Sequence, residues 1–399
     1  MDYSITIYYL FMFLSNARFS RAIWLIYLVK SGYSMTQIGA LQSAYYLTKL
    51  VADVPTGGLA DIFGKKKIMA IGTVVATISS GLFIMSNAFP WLILVFCLDG
   101  LAQSMQRGAD NALVYSYLTE VKREDEYMKI VGRANAISCA GLALATWIGG
   151  IAFEAYKFMP FILQMFIYIV GAVLIFTFKE KHLISKKSKL NVKEQIINMR
   201  KGIYSVFKLP IIQVLIWFTV IIVAVVTVIN IFSQGYFNSL GIKESNVAIL
   251  FTISTGLSAI ASWNAYRIGK LRLDKLIIFS SVFLLCGLIA MVSRIIPIAI
   301  VGYLLVYISL DFLDPVLNDI FNKFIDDDVR STVLSSLNMI ISLVTMICFP
   351  VAGSLTDNLG YRGLMIGIFM IFLIFIIILI GFYRKLDNVG SRSIENEKL

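Results

Sequence analysis

Charge is scarce in this 399-residue chain. Asp, Glu, Lys and Arg together make up 15% of it, against about a quarter in an ordinary soluble domain. Histidine is scarcer still: His182 stands alone in a lysine-rich stretch, which excludes a Ser-His hydrolase and a histidine-based metal site. The four cysteines, Cys97, Cys139, Cys286 and Cys348, each lie in a separate apolar run without C-x-x-C spacing. No disulfide framework or zinc site is expected from them, and they read as packing residues. Phosphate-binding glycine loops are missing too. Gly64-Lys65-Lys66 and Gly269-Lys270-Leu271 lack the upstream glycine and the hydroxyl residue that would hold magnesium, so ATP is excluded as the energy source and no cofactor is expected.

What the chain has in excess is apolar surface, with 58% hydrophobic and 13% aromatic residues and a mean hydropathy of +0.81. A spanning helix takes about 20 apolar residues, so twelve would fill roughly 240 positions, close to the apolar share. Seven would leave too much apolar sequence unexplained. Windows of spanning length fall at about residues 6–29, 35–58, 68–87, 91–118, 130–155, 158–178, 211–240, 245–268, 276–294, 297–324, 331–355 and 362–383. The fold expected is therefore all-α and integral to the membrane. The apolar start has no basic n-region or small-residue cleavage site and reads as a retained first span.

The net charge of +11 follows the short loops rather than forming a patch for nucleic acid. Lys65, Lys66 and Lys67, then Lys122, Arg123 and Lys129, then Lys270, Arg272 and Lys275, then Lys323 and Arg330 mark one side, while Lys30, Lys157, Lys243 and Arg362 stand singly on the other. The positive-inside rule then places both termini in the cytoplasm of a multi-pass cell-membrane protein. The longest polar stretch, 179–209, is rich in lysine and divides the chain into an N-terminal bundle, 1–178, and a C-terminal bundle, 210–385, followed by a polar tail, 386–399. Part of the linker, from about Val192 to Tyr204, reads either as an amphipathic helix on an anionic bilayer surface or as a solvated connector. Asp110 and Asp314, Asp125 and Asp328, and Gly150 and Gly353 recur at a nearly constant spacing of roughly 200 residues, which suggests two pseudo-symmetric six-helix repeats with a site at their interface.

The most specific local pattern is Gly57-Gly58-Leu59-Ala60-Asp61-Ile62-Phe63-Gly64-Lys65-Lys66, between the second and third windows. It resembles the signature loop of the major facilitator superfamily, G-x-L-A-D-R-x-G-R-K, with Ile62 in place of the first arginine and Lys65 in place of the second. The glycines permit a tight turn. The resemblance implies that Gly57, Asp61, Gly64, Lys65 and Lys66 gate the cytoplasmic side, with Asp61 docking near Ser331 and Thr332. In the fifth window Gly132, Gly141, Gly149 and Gly150 keep the spacing of the glycine pattern of drug/proton antiporters in this superfamily, but Ala145 and Thr146 stand where Gly-Pro belongs. The antiporter pattern R-x-x-Q-G of the fourth helix fails here: Ser104 holds the arginine position and Arg107 the glutamine position.

Polar residues inside apolar windows must face a cavity or one another, because an ionisable group near the bilayer centre is costly. In the fourth window Asp99, Gln103, Gln106, Arg107 and Asp110 fall at i, i+4, i+7, i+8 and i+11, one face of a continuous helix; Arg107 and Asp110 could pair. The tenth carries Tyr303, Tyr307, Asp311, Asp314 and Asn318, the first Asn16, Arg18 and Arg21, and the seventh Thr227, Asn230 and Gln234. These are the four helices that line the central cavity in the superfamily. In the second, Lys49 and Asp53 could form a structural salt bridge or serve transport. Glu154 is expected in solvent, and Arg133 to snorkel.

The reading that follows is a proton-coupled secondary transporter working by alternating access, with a small molecule and the bilayer as its partners, no nucleic acid and no ATP; the resemblance to the superfamily implies that it is a monomer. Asp110 and Asp99, then Asp311, Asp314 and Asp53, are the proton-coupling candidates. The glycine pattern and aromatic content point to export of amphipathic, drug-like compounds, whereas the arginines suit a polar or zwitterionic metabolite. An enzyme would need a nucleophile, base or metal constellation, and none is visible; a non-transporting sensor on the same fold is the remaining alternative.

Overall fold

The computed structural model describes residues 2–85, 88–107, 109–178, 210–268, 273–293, 295–311, 313, 316–317 and 327–396. Among these the chain is all-helical, with thirteen α-helical stretches and no strand. Six stretches are long and apolar enough to cross a membrane by length and composition: Lys65–Met85, Glu124–Ala155, Gln213–Ser239, Glu244–Ser262, Lys275–Val292 and Ser335–Tyr383. Asp314, Asn318, Gly108 and the linker 179–209 lie outside the described residues, as do the side chains of Ser331 and Thr332.

Two expected helices are each broken in two. The first window holds α1 (Tyr3–Asn16) and α2 (Trp24–Lys30), joined by a tight non-helical passage in which Arg18 N donates to Asn16 O, Arg21 N to Arg18 O and Ile23 N to Ser20 O. The fourth holds α5 (Phe89–Gln106) and α6 (Ala109–Glu120). Here Arg107 turns extended, at φ −64° and ψ 135°, so the stripe expected from Asp99 to Asp110 does not run along one continuous helix. Asp110 instead occupies the first turn of α6, where its Oδ1 accepts from Asn111 N at 2.7 Å, a favourable place for a carboxylate at a helix N-terminus.

The other elements of the first half are α3 (Met35–Phe63), α4 (Lys65–Met85), α7 (Tyr127–Ala155) and α8 (Met159–Ile175). Ser34 and Gln37 form a reciprocal capping box at the start of α3, and Gly64, at φ 96°, ends it in a conformation suited to glycine. Without the Gly-Pro pair of the antiporter pattern, α7 runs unbroken. Tyr8, Phe11, Met69, Leu113, Val114, Ile175 and Phe178 form a buried hydrophobic core among α1, α4, α6 and the end of α8.

Beyond the linker come α9 (Pro210–Ser239), α10 (Glu244–Ile268), α11 (Leu273–Val292), α12 (Ile296–Asp311) and α13 (Asp327–Asn396), the last interrupted at Gly360, where φ is 69°. Gly287 on α11 and Gly302 on α12 let these two helices approach to backbone contact. The chain divides into two compact units, Met1–Gln195 with Gln234–Gly256, and Ile196–Ser233 with Leu257–Leu399. Two of the four cysteines, Cys139 and Cys286, are exposed, so only Cys97 and Cys348 fit the packing role expected of all four.

Candidate functional site

The polar interior of the first unit is built around the break between α1 and α2. An unwound stretch in an apolar bundle leaves backbone groups to be satisfied by side chains. Gln164 of α8 does so: its Oε1 accepts from Ser20 N at 3.2 Å and Ser20 Oγ at 2.7 Å, and its Nε2 donates to Ser80 Oγ at 3.4 Å. Gln234 does the same further on, accepting from Leu25 N at 3.3 Å. Asn16 Nδ2 donates to Met12 O at 2.9 Å and to Ser138 Oγ at 3.3 Å. Asn16 and Gln234, expected to line a cavity, are thus held within the protein.

The glycines of α7 explain why the break can sit where it does. A Cβ on Gly149 would lie 1.9 Å from Phe19 O, and one on Gly141 would lie 2.7 Å from Phe13 O. Each therefore admits the backbone of the first window at a distance no side chain allows. Gly150 faces the opposite partner: its Cβ would fall 2.3 Å from the Ala248 side chain. Gly132 has open space around it and takes no part in this packing.

The break delivers two arginines. Arg21 Nη1 donates to Thr255 Oγ1 at 2.9 Å. Arg18 has Tyr168, Asp99 and Tyr45 as its polar and charged neighbours. Asp99 comes from α5, which packs so closely on α3 that a Cβ on Gly100 would meet Tyr45 O at 2.5 Å. The same contact brings Asp53 to Ser104, whose hydroxyl donates to its carboxylate, while Thr56 Oγ1 donates to Ser104 O at 3.2 Å. Asp53 is thereby engaged across the helix pair, and the salt bridge expected between Lys49 and Asp53 does not form. Arg107 is exposed and makes no hydrogen bond or ion pair among the described residues, so the pairing expected with Asp110 is absent. Gln106 Nε2 donates to Thr73 Oγ1 at 3.4 Å, and Gln103 is half-buried on the same helix.

Asp110 belongs to a separate neighbourhood, with Tyr8, Tyr9 and Tyr127. Tyr8 is fully buried. Near it, Asp2 caps α1 by accepting from Ser4 N at 3.1 Å, and it receives the Tyr117 hydroxyl at 2.8 Å and Arg123 at 3.4 Å. The hydrogen bonds that Arg123 makes to Glu126, at 2.7 and 2.8 Å, raise the guanidinium above its ordinary value.

The signature-loop lysines bind other helices of their own bundle, Lys65 the body of α6 and Lys66 the end of α8. Lys65 Nζ donates to Ala112 O at 3.0 Å and to the Ser116 hydroxyl; Lys66 Nζ donates to Phe178 O at 2.9 Å and Phe176 O at 3.4 Å, just past the C-terminus of α8. A cation there completes carbonyls left open by the helix end. Asp61 is exposed, and a Cβ on Gly57 would meet nothing within 4 Å.

In the second unit Asn230 Nδ2 donates to Tyr303 OH at 3.5 Å, the Tyr303 and Tyr307 rings lie 6.0 Å apart, and Ser262 Oγ donates to Asp311 O at 3.2 Å. Tyr303 is fully buried, so it packs rather than lines an open surface. Among the described residues no group of histidine, cysteine and carboxylate side chains could hold a metal ion.

Several of these residues escaped notice in the sequence. Gln164, Ser80, Ser104 and Thr255 are single polar residues in apolar windows, and only the break and the helix contacts give them a task. Glu154, expected in solvent, is exposed but also accepts from Ser245 N at 3.1 Å.

Residues 5–312 match the sequence profile of the Major Facilitator Superfamily. The chain is 20% identical over 384 residues to the uncharacterised MFS-type transporter YxaM of Bacillus subtilis, covering 94% of each chain. It is 29% identical over 153 residues to the quinolone resistance protein NorA of Staphylococcus aureus, a match that spans 38% of this chain and 37% of NorA. Among solved structures, the nucleoside transporter NupG superposes with a TM-score of 0.78 at 13% identity, covering 96% of this chain and 97% of that one.

Proposed function

Because the chain belongs to the major facilitator superfamily, a family of transporters rather than enzymes, we propose that it is a proton-coupled secondary transporter, working by alternating access, that exports amphipathic, drug-like small molecules. The observation that carries the reading is the placement of Asp99 beside Arg18, at a helix break inside an apolar bundle. A carboxylate held there can exchange its proton for the attention of a neighbouring cation as the local environment changes. Asp110, at the N-terminus of α6, is the second coupling candidate.

Export rests on two supports. Gly141, Gly149 and Gly150 keep the antiporter spacing and each serves a close helix contact, and part of the chain is similar to NorA, a quinolone resistance protein. Gradient energy replaces ATP, the protein acts as a monomer in the cell membrane, and both termini face the cytoplasm. The competing reading, transport of a polar or zwitterionic metabolite, is favoured by Arg18 and Arg21 at the break and by the similarity of fold to a nucleoside transporter.

Inverted vesicles carrying the wild type, Asp99→Asn or Asp110→Asn, with an imposed pH gradient, distinguish them. Gradient-driven accumulation of ethidium or another lipophilic dye by the wild type, lost in at least one variant, is the expected result. Movement of radiolabelled polar solutes alone would favour the metabolite reading, and no gradient-driven movement of any solute would remove proton-coupled transport.

A further inference from the structure

The hairpin of α9 and α10 is divided along its length. Its tip, Gln234–Gly256, belongs to the first compact unit, while its two shafts, residues 210–233 and 257–268, belong to the second. The division falls inside two helices that are each continuous, Pro210–Ser239 and Glu244–Ile268. At both crossings hydroxyl groups turn back on their own helix. Ser233 Oγ donates to Asn230 O at 2.7 Å, and Ser254 and Thr255 both donate to Phe251 O, at 2.8 and 2.9 Å. Such back-bonds compete with the helical ladder and bend it. Gly256 follows directly, and a Cβ there would meet nothing within 4 Å; the glycine serves no close contact and its effect is to soften the helix. The tip is pinned at these same crossings. Gln234, the residue after Ser233, accepts from Leu25 N at 3.3 Å, and Thr255 Oγ1 accepts from Arg21 Nη1 at 2.9 Å. Towards its end the tip is held by Thr252 Oγ1 donating to Ala143 O at 3.1 Å, by Ser245 N donating to Glu154 at 3.1 Å and by the Lys30–Glu244 pair. The shaft of α10 has a tie of its own, from Ser262 Oγ to Asp311 O at 3.2 Å.

We propose that the α9–α10 hairpin is jointed at Ser233–Gln234 and at Ser254–Gly256, and that its tip swings away from the first window when the Arg21–Thr255 and Gln234–Leu25 hydrogen bonds part. This rests on the transport reading above and deepens it: one stroke of the cycle bends a hairpin at two soft points, where hinge changes are absorbed by a few residues. Arg21 is the positioning residue of the joint. It lies on the unwound stretch between α1 and α2 that also carries Arg18, so a rearrangement of that stretch reaches the hairpin through the bond to Thr255.

The test uses the full-length protein in lipid nanodiscs, with its four native cysteines replaced by alanine and spin labels on Lys157→Cys, past the end of α7, and Asn246→Cys, on the tip; both positions are exposed. Pulsed electron–electron resonance reads the distance between them. Thr255→Val removes the acceptor of Arg21 and is expected to raise the population at a longer distance by about tenfold or more, the range for a hydrogen bond to a charged group, while Thr255→Ser keeps the hydroxyl and the original distribution. Adding Ser254→Ala and Gly256→Ala to Thr255→Val stiffens the joint and restores the short distance; adding Gly132→Ala, at an open glycine away from the joint, does not. A second readout needs no change at Thr255: Ser254→Ala with Gly256→Ala raises the melting temperature and lowers gradient-driven transport at least tenfold, whereas Gly132→Ala raises the melting temperature alone. A Thr255→Val protein that keeps the short distance overturns the pin. A long distance that survives stiffening, or full transport by the stiffened protein, overturns the joint. Failure of the transport reading shows elsewhere: a wild type that moves no solute under a pH gradient, while Thr255→Val still opens, retains the joint and loses the transport role.

Discussion

Gly149 and Gly132 lie on one helix and respond in opposite ways to the same change. A methyl group on Gly149 meets the Phe19 carbonyl at 1.9 Å, a backbone atom that cannot rotate aside, so Gly149→Ala costs about 1–3 kcal/mol by overpacking and disturbs the segment carrying Arg18. A methyl group on Gly132 meets nothing within 4 Å, and replacing a helical glycine by alanine gains roughly 0.5–1 kcal/mol. Thermal unfolding of the two variants in detergent should therefore move in opposite directions, and transport should fall only for Gly149→Ala. The sequence pattern identified all four glycines of this helix as a set, but could not say which of them touch another backbone. Lys49 was similarly half legible: its spacing from Asp53 suggested a pair, and only the structure shows that the Asp53 carboxylate accepts from Ser104 and closes no ion pair with the lysine.

The apolar windows located the helices because hydropathy is summed over a whole turn and more, and is insensitive to one unwound stretch. The break at Ala17–Ile23 contains neither proline nor glycine. Its trace in the sequence is chemical: Asn16, Arg18, Ser20 and Arg21 crowd within a few residues, and hydroxyl and amide side chains compete with helical hydrogen bonds. Because the break depends on Gln164, Gln164→Leu leaves the half-buried Ser20 N–H and hydroxyl without that acceptor, at a cost of about 1 kcal/mol. The expected outcome is a lower melting temperature together with faster amide exchange confined to Ala17–Ile23. At α3, Ser34→Ala removes the capping box and costs about 1 kcal/mol, without altering the binding of any substrate.

At the scale of the molecule, Gln234–Gly256 joins the first compact unit through contacts of unequal worth. Lys30 pairs with Glu244, but Lys30 is 54% exposed, and such pairs contribute about 0–1 kcal/mol and weaken with salt. Tighter constraints come from Gly150, closed against Ala248 and Ser245, and from Thr252 Oγ1, which donates to Ala143 O at 3.1 Å. Lys30→Ala should therefore change stability by less than about 1 kcal/mol, an effect that disappears in high salt, while Gly150→Val should separate α10 from α7 and lower both stability and transport. The family and the all-helical membrane fold were legible from the signature loop and the windows, because they depend on local pattern. The assignment of Gln234–Gly256 was not, since it arises from contacts between segments far apart in sequence.

The charges of the first unit also set an electrical property. Asp53 and Asp99 share the interior of the first unit with Arg18, Arg21 and Lys49, so uptake of one coupling proton there raises the charge of that unit by one. A membrane potential acts on each uncompensated charge with about 2.3 kcal/mol per 100 mV. The proton-loaded carrier would then feel the field by one charge more than the empty carrier, so voltage would act unequally on the two strokes.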